Sequence, residues 1–197
     1  FWANKHHNIA TRAASGETMN LIKDFAPNFI GGSADLGPSN KTVLNGEGEF
    51  SADNYGGRNI HFGVREQAMA AVGNGLMLYG GLKAYVATFF VFSDYVKPMA
   101  RLSSLMKLPL TYVFTHDSIG VGEDGPTHEP VEQLTMLRAM PNMYVFRPCD
   151  EFETKAGWYV AMSSKETPTS LILSRQDLPK MVGSNRGALR GGYIIDD

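Results

Sequence analysis

The chain of 197 residues contains a single cysteine, Cys149, so no internal disulfide can staple it and stability must come from packing. A lone thiol also suits a reducing compartment, and the cytoplasm is the expected location. Neither sign of charge dominates: 18 Lys and Arg stand against 20 Asp and Glu, a net charge of −2 with no basic block. Nucleic acid and anionic membrane surfaces are therefore not expected partners, because both demand clustered cations. No apolar run approaches the roughly 20 residues of a membrane-spanning helix, and the opening residues do not read as a signal peptide. Internal repeats and low-complexity tracts are missing. A Gly-x-Gly-x-x-Gly opening a helix and a P-loop lysine are missing too, which removes the usual sequence support for nicotinamide and ATP binding. Zinc fits poorly: His116 and His128 are separated by 11 residues, with no thiolate nearby and no His-x-x-x-His pair on a helix.

What is present is the composition of a packed domain. Hydrophobic residues make up 43% and charged residues 19%, enough to bury a core rather than remain disordered. The length suits one large domain, against a norm of roughly 100–200 residues. The first residue is Phe1, and Arg190 to Asp197 reads as a strand just beginning, so a piece of a longer polypeptide is expected.

Strand-like and helix-like patterns alternate along the chain. Thr11 to Phe25 reads as a helix stopped by Pro27, and Phe29-Ile30 as a strand entering Gly31-Gly32-Ser33-Ala34-Asp35. The stretch from Gly37 to Arg58, rich in Asn, Gly and Ser, reads as a long excursion that orders only around a ligand or partner. Further strands are expected at Asn59–Gly63, Ala84–Phe89, Leu110–Phe114, Met143–Phe146 and Ser170–Leu173. Between them, helices are expected at Arg65–Tyr79, Ser93–Lys107, Val131–Met140 and Glu151–Ser164. The first of these carries Ala68, Val72, Leu76 and Tyr79 on one face. The alternation predicts an α/β fold: a doubly wound, mostly parallel sheet of about six strands with helices on both faces.

The most informative run is Thr115 to Pro130, which packs two histidines, four acids and three glycines just past a buried strand. In an open α/β sheet that is where ligands bind. Its Gly-Val-Gly-Glu-Asp-Gly stretch carries two acids that would repel a pyrophosphate. Glu66, in Gly63-Val64-Arg65-Glu66-Gln67, falls in the first turn of a helix directly after a strand, where an acid either complements the dipole or serves a site. Phe89, Phe92 and Tyr95 recur at spacing three, as core rings or as a platform for a flat ligand. Arg12, Ser39, His116 and Arg175 are potential anion ligands, and both His116 and Arg175 follow strands on one rim of a parallel sheet.

Several of these motifs in one order resemble the middle, pyrimidine-binding domain of the transketolase family. They are Gly-Gly-Ser-Ala-Asp-Leu at 31–36, Gly-Val-Arg-Glu-Gln at 63–67, Thr-Phe-Phe-Val-Phe-Ser-Asp-Tyr at 88–95, the 115–130 loop, and Leu-Ser-Arg-Gln-Asp-Leu-Pro at 173–179. The resemblance implies a domain over residues 1–183, with 184–197 opening a truncated C-terminal segment. It implies a thiamine diphosphate enzyme of the pentose phosphate pathway that moves a two-carbon ketol unit from a ketose phosphate to an aldose phosphate. Glu66 matches the acid that hydrogen-bonds the pyrimidine nitrogen, and burial against that ring favours its protonated form. Phe89, Phe92 and Tyr95 match the rings around the pyrimidine, and Asp35 lies in a loop that contacts thiamine. Arg12, Ser39, His116 and Arg175 match the sugar-phosphate clamp; Asp124 and His128 match groups that meet the ketose hydroxyls, and His116 and His128 stand with Glu66 as catalytic candidates. Magnesium or calcium and the diphosphate belong to an amino-terminal domain outside this sequence, so no metal ligand is expected here and the isolated piece is expected to be inactive. A second subunit, as a homodimer, completes the site. The alternatives are a sister thiamine enzyme, such as dihydroxyacetone synthase or deoxyxylulose phosphate synthase, and a non-catalytic sugar-phosphate-binding module.

Overall fold

β-Branched and aromatic runs are stiff, extended and apolar on both sides, and here they form the centre of a parallel sheet. The computed structural model describes residues 1–195. Its elements are β1 (Asn8–Ala10), α1 (Thr11–Phe25), β2 (Phe29–Ser33), α2 (Gly37–Asn40), β3 (Asn59–His61), α3 (Glu66–Tyr79), β4 (Lys83–Phe89), α4 (Ser93–Leu105), β5 (Thr111–Thr115), α5 (Gln133–Arg138), β6 (Tyr144–Phe146), α6 (Glu151–Ser163), β7 (Thr169–Leu173) and β8 (Asp177–Pro179). Six strands form one sheet in the order β3-β2-β4-β5-β7-β6, parallel throughout, with helices on both faces as the alternation predicts.

The strand period of two divides the core. Tyr85, Ala87, Val113, Leu171 and Leu173 point to one face, where Met19 and Ile22 of α1 and Trp158 and Ala161 of α6 cover them. Val86, Tyr112, Phe114 and Ile172 point to the other, beneath Met69 and Ala70 of α3, Val96 and Ala100 of α4, and Leu137 of α5. Each fully buried Phe or Leu in these clusters contributes about 1.5–3 kcal/mol. Gly32 allows the edge to close: a Cβ there would stand 1.8 Å from the Ile60 carbonyl oxygen, so only glycine lets β3 pair this tightly. In α6 the buried Lys155 ammonium meets the Glu151 carboxylate at 2.5 Å and the Ala3 carbonyl.

Four features differ from the expectations. The 37–58 excursion is ordered by its own contacts: Leu44 is buried, the Asn59 amide bonds Leu44 N and O at 2.8 and 2.9 Å, and the Tyr85 hydroxyl donates to Thr42 O at 2.8 Å. Three of the four stripe residues on α3 face outward, with Val72 47% and Tyr79 90% exposed; only Leu76 packs against the core, and Met69, Ala70, Gly73 and Asn74 face the sheet. There the core needs small residues, since a Cβ on Gly73 would lie 2.9 Å from Leu110. A two-stranded antiparallel pair, β1 with β8, ties the start of α1 to the segment after β7. The strand expected to begin in Arg190–Asp197 has not formed by Ile195, and its last two residues lie outside the described residues.

Candidate functional site

Because all six strands run parallel, their carboxyl ends share one rim, and α/β sheets bind ligands there. Phe89 ends β4, His116 follows β5, Arg175 lies two residues past β7, and Arg12 stands in the first turn of α1. Thr11 locks that helix start to the rim: its N–H donates to Ser174 Oγ at 3.0 Å, and Ser174 N–H donates to Thr11 Oγ1 at 2.7 Å.

The polar half of the rim gathers around His116. The Arg12 guanidinium donates to the Ser39 carbonyl at 2.7 Å and approaches His116 Nε2 at 3.5 Å, while its Nε is buried with no partner among the described residues. Burial first, and then the Arg12 charge, push the His116 pKa down to about 4, with Arg175 and His128 adding to the drop and Asp124 opposing it. Arg12 is itself held below the ordinary guanidinium range by burial and by Arg175. The groups that act on His116 are thus the anion and hydroxyl ligands picked out in the sequence. Arg175 also pairs with the exposed Glu123 at 2.8 Å, and Asp117 anchors the start of the loop to Arg147 at 3.0 Å. With the imidazole neutral and Arg175 paired to an exposed carboxylate, the Arg12 guanidinium is the half-buried cation that an anion would meet.

The aromatic half adjoins it directly. The His116 ring stacks on Phe89 at 3.6 Å, Phe89 on Phe92 at 6.1 Å, and Phe92 meets Tyr95 at 6.3 Å. His128 caps the row edge-on, 5.4 Å from Phe92 and 6.3 Å from Phe89. Tyr95 then lines one open depression with Glu66, Arg65 and Met99. Glu66 heads α3, is 9% exposed, and forms no salt bridge among the described residues. A half-open row of rings ending at an unpaired carboxyl suits a flat heterocycle that offers a nitrogen to the acid. Asp35 stands apart: it is exposed in the turn after β2 at φ 60° and bonds to none of these groups among the described residues. No group of three or more His, Cys, Asp or Glu side chains could hold a metal ion among the described residues.

Asn40 and Thr115 were not foreseen. Both are fully buried: Thr115 Oγ1 donates to Asn40 Oδ1 at 2.6 Å and lies 2.8 Å from His116 Nδ1, and Asn40 Nδ2 donates to Ser33 Oγ at 2.7 Å. Asn40 sat in a segment read as a loop, and the β5 run was expected to end one residue before Thr115. Their only signal was a polar pair next to candidate ligands.

An open parallel sheet with a cationic pocket and a ring-lined, acid-tipped groove on one rim defines an α/β domain whose rim suits small phosphorylated or heterocyclic ligands. The family profile described as transketolase, pyrimidine binding domain, matches residues 7–181. A transketolase of Staphylococcus aureus is 58% identical over 193 residues, 96% of this chain and 29% of its own length. The transketolase of Leishmania mexicana superposes with a TM-score of 0.96 at 45% identity, over 99% of this chain and 30% of that one. A Pichia stipitis transketolase in complex with sedoheptulose-7-phosphate superposes with a TM-score of 0.94 at 46% identity, over 95% of this chain and 29% of that one. The chain belongs to the transketolase family and corresponds to its pyrimidine-binding domain. It spans 29% of the length of the curated relatives it matches.

Proposed function

We propose that this chain supplies the pyrimidine side of a transketolase active site, with residues 1–183 as the domain and 184–197 leading out of it. Thiamine diphosphate, when bound, supplies the carbanion stabilisation that two-carbon transfer requires. The chain's own residues do the rest. Glu66 donates a hydrogen bond to the pyrimidine nitrogen, a role that suits a buried carboxyl that forms no salt bridge among the described residues. Phe89, Phe92 and Tyr95 exclude water from that bond and fix the ring plane, and Asp35 meets the thiamine from the separate turn after β2. Arg12, Ser39, His116 and Arg175 take the sugar phosphate, a role supported by the sugar-phosphate complex of the Pichia stipitis relative. Asp124 and His128 meet the ketose hydroxyls.

Tyr95 is 61% exposed and leaves the groove open on one side, which a second subunit would close. The outward stripe of α3 and α4, with Val72, Leu102 and Leu105 exposed, suits such a homodimer. The diphosphate and its magnesium fall to another domain, so the chain by itself lacks ketol transfer. Its setting is the pentose phosphate pathway in the cytoplasm, where a single unpaired thiol is stable.

The observation that carries this reading is the unbroken row from His116 through Phe89, Phe92 and Tyr95 to Glu66. Glu66→Ala in the full-length enzyme tests it. Turnover should fall by about 10²–10⁴ with an unchanged circular dichroism spectrum; turnover within twofold of wild type, a span well inside that of an uninvolved surface acid, would remove Glu66 from the site.

A further inference from the structure

The loop that carries Asp124 and His128 is fastened at both ends. At its start Asp117 pairs with Arg147 at 3.0 Å, and the Gly120 backbone lies against the Gln176 carboxamide, where a Cβ would come within 2.6 Å. The middle closes on itself, Gly125 N–H donating to Gly122 O and His128 N–H to Gly125 O, each at 3.0 Å. The far end is tied down through Gln133, which opens α5 and is 3% exposed. Its Oε1 accepts from the Val131 N–H at 2.9 Å, and its Nε2 donates to both oxygens of Asp94, each at 3.2 Å. These partners fix the orientation of the amide, because an N–H needs its carbonyl oxygen and a carboxylate needs its nitrogen. Asp94 stands in the first turn of α4, between Phe92 and Tyr95 of the ring row. The clasp therefore joins the end of the loop to the element that presents the rings. His128 stands edge-on to Phe92 at 5.4 Å and to Phe89 at 6.3 Å. Its hydrogen-bond contact is local, with Thr127 Oγ1 2.9 Å from Nδ1, so the place of the ring over the platform is set by the backbone that the clasp holds.

We propose that Gln133 and Asp94 form a clasp that holds His128 against the ring platform and so sets the preference for donors with hydroxyls beyond the ketol unit. Both are positioning residues: they act through His128 rather than on the substrate. The inference rests on reading His128 as a ligand of the ketose hydroxyls, but the position of its ring is measured without turnover.

The test compares two donors on full-length enzyme: erythrulose, with hydroxyls at C3 and C4, and hydroxypyruvate, with the ketol unit and no further hydroxyl. Neither carries a phosphate, so the anion clamp does not enter the comparison. Gln133→Leu and Asp94→Ala should each lower kcat/KM for erythrulose about tenfold and leave that for hydroxypyruvate within about twofold. Asp94→Asn keeps an acceptor for Nε2 while removing the charge at the start of α4, and it should stay within about twofold with both donors. The double variant should lose no more than Gln133→Leu alone, as partners in one interaction do. Asp94 is exposed, so Asp94→Ala decides the matter even if Gln133→Leu fails to fold. Equal loss with both donors, loss with neither, or an Asp94→Asn as impaired as Asp94→Ala would overturn the proposal. The His128 ring protons, identified with His128→Gln, should also shift in Asp94→Ala, because a ring held edge-on to Phe92 feels its ring current; unchanged shifts would overturn the clasp. Shifted ring protons, with the donor ratio intact in both Asp94→Ala and His128→Gln, would instead overturn the reading of His128 as a hydroxyl ligand, which separates the two failures.

Discussion

Arg12→Leu removes the cation that faces the His116 ring while leaving the ring buried. At 3.5 Å, a unit charge shifts a neighbouring ionisation by about 1.2 kcal/mol in a water-like medium and about 4.7 kcal/mol at an effective dielectric constant of 20. Burial is the larger cause of the fall from 6.5 to about 4, so Arg12 accounts for less than half of it and the lower figure applies. The variant should therefore raise the His116 pKa by about one pH unit, since 1.36 kcal/mol corresponds to one unit, and still leave it below 6.5 because burial persists. The sign for stability follows from linkage. A histidine kept neutral by the fold contributes stability that is full above its unfolded pKa and is lost as pH falls toward its folded pKa, so Arg12→Leu narrows the window of loss from its acid end. The assay is a titration of the His116 ring by NMR in histidine-labelled protein, with wild type and variant run in parallel. An unchanged or lower value in Arg12→Leu would refute the placement of Arg12 against the ring and, with it, the anion pocket.

Other expectations concern the frame of the site. Lys155→Met strands the buried Glu151 carboxylate and should cost about 3–5 kcal/mol in urea unfolding, with partial recovery when Glu151→Gln is added. Gly32→Ala drives a Cβ into the Ile60 carbonyl, so the β2–β3 pairing should weaken and the protein lose about 1–3 kcal/mol, read as faster amide exchange at Ile60 and His61. Val72→Asp on the outward face of α3 should leave folding intact and shift the full-length protein toward monomer in sedimentation.

The sheet was legible because its strands are buried on both faces and read as short β-branched and aromatic runs, and the helices because Pro27 and Gly80 punctuate them. The rim position of most candidate site residues was legible for a related reason: each follows a strand, and a parallel sheet sends every strand end to one rim. The α3 stripe misled in one respect. Ala68, Val72 and Tyr79 are exposed and only Leu76 of the stripe reaches the core, whose side of α3 is Met69, Ala70, Gly73 and Asn74, because at Gly73 the helix lies too close to Leu110 and Val86 for a larger side chain. The β1–β8 pair is only three residues long on each side and has no period to detect. The buried hydrogen bonds behind His116 were invisible because polar residues carry no periodicity, and only the fold brings Ser33, Asn40 and Thr115 together across the 82 positions that separate Ser33 from Thr115.

The account turns on the Glu66 carboxyl donating to a pyrimidine nitrogen, and the 15N shift of that nitrogen in labelled thiamine diphosphate bound to full-length protein reports on it directly. In the wild type the resonance should lie upfield of its position in Glu66→Ala, as hydrogen bonding to a ring nitrogen requires. The same resonance position in both proteins would mean that Glu66 does not touch the ring.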